Sequence, residues 1–404
     1  MPELPSHETD EDEPELFASL PEQRRSIPGL SEGMSRTTGV LPAQRLEELV
    51  GWQIMAPPLA DGQLQPSSID LRLGAEAYRV EASFLPGAGA TVDERVRELT
   101  LERLDLREGA VLRRGEVYIV PLLERLEFRK RYSGIANPKS STGRLDVFTR
   151  LITDYGTEFD RVPANYRGPL YAEISPRSFH ILAREGARLL QLRVQLGSPR
   201  PSDTALRELH DRYHLIPGED EPDIKNAGVA IRVDIAGIDG SDIIGFRARR
   251  DVDTPVDLDN VAGYDARDFW HPVRRPEGAA KGRGLILRND EFYILASKQA
   301  VWVPPDTAGE MIAYDTSVGE FRVHYAGFFD PGFGYHADGG RGTRAVLEVR
   351  SHEVPFLVDD GQILGRIVYH DLIEPPRQLY GRDIGSNYAR QGLTLAKHFR
   401  PWTD

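Results

Sequence analysis

The 404-residue chain contains no cysteine. That excludes disulfides, thiol nucleophiles, iron–sulfur clusters and Cys-ligated zinc together. It also excludes the zinc-dependent nucleobase deaminases, whose metal site needs thiolates. Long apolar runs are missing too. No stretch approaches the roughly 18 residues of a membrane-spanning helix, so no membrane association is expected. Basic residues are the minority charge: 50 Lys and Arg stand against 63 Asp and Glu, a formal net charge of −13. Such a surface repels a nucleic-acid backbone, so nucleic acid is not an expected partner. One local basic pocket is still compatible with a small phosphorylated ligand. The chain has no G-x-x-x-x-G-K-[ST] phosphate loop and no H-E-x-x-H zinc pair, and His352-Glu353 lacks a second His four residues on. No protein metal site is expected. Met1-Pro-Glu-Leu-Pro5 lacks the character of a secretory leader, which points to a soluble cytoplasmic protein.

What the chain does contain is 40% hydrophobic residues, enough to build a core in each of two or so domains. Residues 1–38 are acidic, rich in Pro and Ser and without hydrophobic period, and read as a disordered tail. Leu46, Leu49 and Val50 share a helical face in Pro42–Val50, and Gly51 ends that helix. In Gln65-Pro-Ser-Ser-Ile-Asp-Leu-Arg-Leu-Gly74, Ile69, Leu71 and Leu73 alternate with Asp70 and Arg72, the strand period. Most later segments are short β-type runs separated by Gly, Pro, Asp or Asn, as in Val117–Val120 and Arg188–Val194. The spacing predicts a second helix over Ser202–Tyr213, capped by Ser202 or Asp203 and bracketed by prolines. The fold class is mainly β, barrel or sandwich, with a few short helices.

The chain also repeats itself. Val111-Leu-Arg-Arg-Gly-Glu-Val-Tyr-Ile119 lines up with Ile286-Leu-Arg-Asn-Asp-Glu-Phe-Tyr-Ile294 at an offset of 175 residues. Ala172-Glu-Ile-Ser175 and Leu347-Glu-Val-Arg350 share that offset, as do Gly186 and Gly361. Ile69–Gly74 has a weaker echo in Ile231–Gly237. Two copies of one β domain are expected: a first domain over 39–200, a helical connector over 201–225 and a second domain over 226–404.

Few segments can carry chemistry. Asn137-Pro-Lys-Ser-Ser-Thr-Gly-Arg144 offers two hydroxyls, turn amides and two cations, a kit suited to an oligophosphate. The same spacing is also that of a capped polar turn. Glu173 lies inside the apolar strand Tyr171-Ala-Glu-Ile-Ser175. It is either a general base or an edge-strand carboxylate facing water. Asp330-Pro-Gly is a tight-turn signal.

Together these segments resemble the dCTP deaminase family. Gln65–Gly74 resembles its opening motif and Lys139-Ser-Ser-Thr-Gly-Arg144 its R-S-S-x-x-R phosphate motif. Asp330-Pro-Gly-Phe-Gly334 with Val346-Leu-Glu-Val349 resembles its D-P-G…L-E strand pair, and Tyr380–Gly392 its closing tail. The length resembles a duplicated bacterial form, the likeness spanning roughly residues 39–400. The resemblance implies two tandem dUTPase-like β barrels, assembly as a homotrimer, and hydrolysis of dCTP to dUTP and ammonia. It implies no zinc, Mg²⁺ accompanying the triphosphate, and dTTP as an inhibitor. Carried over by residue, Glu173 is the general base, with Ser140 and Arg144 positioning its water. Lys139, Ser140 and Ser141 cradle the triphosphate, Asp160 at the first half's D-P-G position is a further substrate-binding residue, and Tyr380 and Gln391 close over the nucleotide. Lys139 replaces the family's Arg, a point charge for a fork. The tail lysine falls at Asn387, so that cation is either missing or supplied elsewhere, with Arg382 and Arg390 as candidates.

The halves are not equivalent. With a one-residue slip, Ser140-Ser-Thr-Gly-Arg144 meets Thr316-Ser-Val-Gly-Glu320, and a carboxylate in place of a cation repels a triphosphate. The first half lacks Asp-Pro-Gly, having Asp160-Arg-Val-Pro163 instead. The expectation is therefore a catalytic first half and a supporting second half, with Glu348, the repeat partner of Glu173, structural. Two further readings stay open: a dUTP-cleaving or bifunctional enzyme, and a non-catalytic nucleotide-binding scaffold.

Overall fold

In the computed structural model the described residues are 36–403, apart from 130, 198–201, 239, 276–283, 314–320, 324–326, 336–341, 352–353 and 382–391. Gln391, Asn387, Arg382, Arg390, Thr316–Glu320 and nearly all of the acidic tail lie outside them.

Alternating apolar residues make the strands, and among the described residues the longer ones form two pairs of sheets, beside two small sheets, one of Val256–Asp257, Ile181–Ala183 and Ala110–Leu112 and one of Leu285–Leu287 and Phe356–Val358. In the first half one sheet runs Arg161–Val162, Tyr132–Pro138, Arg188–Leu196, Ser68–Arg72, Leu64–Gln65. The other runs Val147–Thr153, Arg167–Pro176, Val117–Glu127, Glu76–Val80, Thr100–Asp105. The second half repeats both orders. Its sheets run Ile224–Lys225, Gly228–Arg232, Ile363–Asp371, Thr307–Ala313, Phe328–Phe329, and Trp270–Arg274, Ile243–Ala248, Phe292–Val301, Thr343–Ser351, Phe321–Val323. Strands beginning at 117, 132 and 188 recur at 292, 307 and 363, each 175 residues on. The duplication read from the sequence is thus a duplication of topology. The weaker echo is displaced by two residues. Ile69 pairs with Leu192, and the repeat of Leu192, Ile367, pairs with Val229 rather than Ile231. A two-residue shift keeps every side chain on its face, so alternation alone cannot fix it.

The predicted helices form at Ala43–Leu49 and Asp203–Tyr213, and Ser202 caps the latter by accepting from the Ala205 amide at 3.2 Å. A further helix, Val92–Leu99, was not expected. Its sequence signal is a capping box: Thr91 and Glu94 reciprocally bond each other's backbone amides. This helix buries Val92 and Val96 against Val80, Ile119, Ile152 and Tyr171, on the outer face of the first half's second sheet. The equivalent face of the second half is covered differently. Phe246, Trp270, Phe292 and Ile294 pack into the core built around Leu145, Phe179 and Ile181 of the first half, together with Leu395 and Phe399 near the C-terminus.

Polar contacts tie the halves as well. The buried Arg193 guanidinium donates to the carbonyls of Gly309 (2.7 Å) and Phe329 (3.0 Å) and lies over the Phe328 ring. Ser67 Oγ donates to Asp330 Oδ1 at 2.6 Å. Ile181–Ala183 pairs in parallel with Val256–Asp257. Among the described residues no helix is long and apolar enough to cross a membrane.

Candidate active site

The strand Tyr132–Pro138 ends at a proline, and the chain turns through the short helix Ser140–Gly143. Lys139 precedes that helix and Arg144 follows it, so the turn presents both cations and both hydroxyls at one end of the barrel. Ser140 and Ser141 are half-buried; Arg144 is 2% exposed. The Lys139 ammonium pairs with the buried Asp70 carboxylate, the polar member of the alternating strand Ser68–Arg72. Burial raises the Asp70 carboxyl, and Lys139 and Arg188 oppose that rise. Arg188 lies 3.8 Å from the same carboxylate.

One side of this turn borders a cleft of about 180 Å³. Lys139, Ser141 and Arg188 line it from the first half, and Lys397 and His398 from the C-terminal segment. Burial pushes the Lys397 ammonium below its usual range, and the charges of Lys139 and Arg188 push it further. Asp70 and Asp259 oppose that fall, and Asp259 also lines the cleft, so three cations and one carboxylate face it. His398, its Nε2 against the Leu258 carbonyl at 3.2 Å, is pushed down to about 4 by burial and is neutral near pH 7.

Arg144 points across to the second half. Its Nη1 donates to the Thr394 carbonyl at 3.1 Å, and its Nε lies 3.9 Å from Glu348 Oε1. Glu348 is in the strand Thr343–Ser351, opposite Ile294, and is buried. Burial raises its carboxyl to about 8; Arg144 opposes the rise and Asp146 adds to it. The arrangement is a carboxyl poised near neutrality, a guanidinium beside it, serine hydroxyls on the adjoining turn and a cationic cleft lined by that turn. It suits proton transfer on a ligand anchored by an oligophosphate.

Comparison with known proteins decides the family. Residues 37–198 match the 2'-deoxycytidine 5'-triphosphate deaminase (DCD) N-terminal domain, and residues 202–399 match the C-terminal domain of the same enzyme. The chain belongs to the dCTP deaminase family. A crystal structure of 2'-deoxycytidine 5'-triphosphate deaminase from Agrobacterium tumefaciens is 49% identical to it with a TM-score of 0.79, over 85% of this chain and 100% of that one. No curated protein sequence matches.

Within this dCTP deaminase architecture the residues singled out from the sequence divide into groups. Lys139, Ser140, Ser141 and Arg144 lie on one turn, and Lys139 and Ser141 line the cleft. Glu173 is engaged elsewhere. Its Oε1 accepts from Arg150 Nη2 (2.8 Å) and Nε (3.2 Å) on the neighbouring strand, and its buried Oε2 has no hydrogen-bond partner. Arg150 is stacked on Phe159 at 3.6 Å and on Phe148 at 4.5 Å. The residue facing Arg144 is therefore Glu348, which sequence reasoning had assigned to structure. Asp160 belongs with Glu173: it has a φ of 62° and accepts from the Leu151 amide at 2.7 Å. Burial raises its carboxyl to about 7. Tyr380 packs on Phe333, and its amide donates to the Pro331 carbonyl at 2.9 Å, against the Asp-Pro-Gly turn. Arg188 and Lys397 were missed, because a single cation in a strand or a tail carries no motif. Among the described residues no three His, Asp or Glu side chains converge as a metal site.

Proposed function

We propose that the chain hydrolyses dCTP to dUTP and ammonia in one site made from both halves, with Glu348 in the place first given to Glu173. The observation that carries this reading is the meeting of Arg144 with Glu348 at 3.9 Å. Glu348 takes a proton from a water held beside Arg144 and Ser140. The hydroxide attacks C4 as the proton passes to N3, and the tetrahedral carbon then expels ammonia, the amine receiving the second proton of the water. Arg144 favours the charged state of the carboxylate and the developing hydroxide. A carboxyl near 8 suits a group that must both accept and return a proton.

Lys139, Ser141, Arg188 and Lys397 would hold the triphosphate, Mg²⁺ arriving as part of the substrate complex and zinc taking no part. Lys397 supplies the cation that the family tail places at Asn387. Lys397→Met is expected to raise KM for dCTP about tenfold with kcat within about threefold, since phosphate binding is shared by ground and transition states; steady-state kinetics at fixed salt check it. dTTP, carrying the same triphosphate, is expected to compete for the cleft. One chain supplies both sides of the site, so the homotrimer implied by the resemblance is not needed to bring these residues together. A cytoplasmic setting fits a nucleotide substrate.

The test is turnover of dCTP with Mg²⁺ by purified protein, following ammonia, dUTP, dUMP and pyrophosphate together. Ammonia and dUTP in equal amounts are expected. Ammonia with dUMP and pyrophosphate would make the enzyme bifunctional, and no ammonia would remove the reading.

A further inference from the structure

Two residues beyond Arg144 the chain passes through Asp146, whose φ of 57° lies in the left-handed region. Glycine adopts that backbone without strain. An aspartate stands there instead, fully buried, and its side chain is used. Oδ2 accepts from Ser178 Oγ at 2.6 Å and pairs with the Arg350 guanidinium from the second half. The backbone is fixed too: the amide donates to the Gly143 carbonyl (2.8 Å) and the carbonyl accepts from the Arg177 amide (2.9 Å).

Arg350 lies two residues after Glu348 in the strand Thr343–Ser351, so both side chains stand on one face. Its Nη1 donates to the Asp290 carbonyl at 2.5 Å, which braces it from its own half. Two oppositely signed pairs therefore run side by side across the interface: Arg144 faces Glu348, and Asp146 faces Arg350. A two-residue slip of the turn along the strand would set Arg144 against Arg350 in a buried place, which like charges do not tolerate. The strand bearing Glu173 carries no cation at that position. Ser175 stands at the repeat position of Arg350, and its buried Oγ has no hydrogen-bond partner among the described residues.

We propose that Asp146 and Arg350 are a positioning pair that sets the register of the serine–arginine turn against the strand bearing Glu348, and so selects which of the two homologous carboxylates serves the site. The inference rests on Glu348 being the base.

Asp146→Gly is the informative variant, because glycine keeps the backbone while the carboxylate is lost. Arg350→Gln and Arg350→Lys probe the other side. Among the described residues, the charged groups acting on Glu348 are Arg144 and Asp146 from the first half, Arg350 on its own strand being paired with Asp146; its strand neighbour Ile294 is apolar. Asp146→Gly and Arg350→Gln are each expected to lower kcat about ten- to a hundredfold with KM within about threefold, and Arg350→Lys to restore part of it. The acidic limb of kcat/KM should move in opposite directions. It falls in Asp146→Gly, which removes a neighbouring negative charge, and rises in Arg350→Gln, which leaves that charge uncompensated. A merely structural pair would lower Tm and leave kcat of the folded enzyme near native, whereas the limb moves with the lost charge in either case. Folded variants with native kcat, beside an inactive Glu348→Gln, would overturn the positioning role alone. An active Glu348→Gln would overturn the base assignment and the pair with it. Should Arg350→Gln not fold, Asp146→Gly and Arg350→Lys decide.

Discussion

Glu348→Gln is expected to lower kcat for dCTP deamination by about 10²–10⁴-fold, the usual worth of a positioned general base. Glu173→Gln, in folded enzyme, is expected to leave kcat within about threefold. The substitution at 348 keeps the shape and removes only the group that accepts the proton. In the native enzyme kcat/KM should rise with pH through about 8, where the buried carboxyl ionises, and level off above it. The same carboxyl has a cost in stability. Its folded-state pKa is raised, so between about 4.5 and about 8 the folded chain holds a proton that the unfolded chain has released. Stability contributed at low pH is therefore lost as pH rises across that window, by roughly 1.4 kcal/mol per unit of pKa difference. Glu348→Gln should consequently be inactive yet more heat-stable than the native chain at pH 8, the gain vanishing near pH 4. Thermal unfolding at the two pH values, beside an ammonia-release assay, checks both halves of this expectation. Equal loss of activity in Glu173→Gln would contradict it.

Arg150→Ala should do the opposite: a large loss of stability with little direct effect on the chemistry. Glu173 is 1% exposed, and among the described residues its one hydrogen-bonded oxygen is held by Arg150. Removing the guanidinium leaves a buried charge unpaired and strips the ring stacking on Phe148 and Phe159. Breaking a fully buried pair costs about 3–5 kcal/mol. The Arg150 side chain is 25% exposed, so water relieves part of that, and roughly 2–3 kcal/mol is expected. The double variant Arg150→Met with Glu173→Gln should recover most of the loss, because replacing both partners removes the unpaired charge. Denaturant unfolding measures all three. A single variant as stable as the native chain would mean that Glu173 has another partner, and a catalytic role would return to it.

The contrast between the two glutamates also shows where the sequence stopped being informative. The duplication was legible because strand periodicity and turn residues are local, and they recur at 175 residues in 117–127 and 292–301 alike. The phosphate turn was legible because Lys139, Ser140, Ser141 and Arg144 are consecutive or nearly so. Glu173 and Glu348 sit in almost the same words, Ala172-Glu-Ile and Leu347-Glu-Val. Local sequence cannot say which of them meets Arg144, since that depends on how one barrel packs on the other. One face is closed by the helix Val92–Leu99, and the other by the first half's own core. Two signals were present and went unread: the Thr91–Glu94 capping box, which announces the covering helix, and Arg350 against Ser175 two residues after the carboxylate. Arg188 and Lys397 were out of reach for the same reason as the glutamates. A cleft assembled from a strand and a distant tail leaves no spacing to recognise.

The central claim is that one chain builds the site from Arg144 of its first half and Glu348 of its second. Complementation tests it most directly. Arg144→Met and Glu348→Gln are each made, shown to be folded and inactive, and then co-expressed so that the two chains can assemble together. If the site lies within a chain, every chain carries one lesion in its own site, and no deamination returns. Recovery of dCTP turnover in the mixture would mean that the arginine and the glutamate come from different chains, and the account would be wrong.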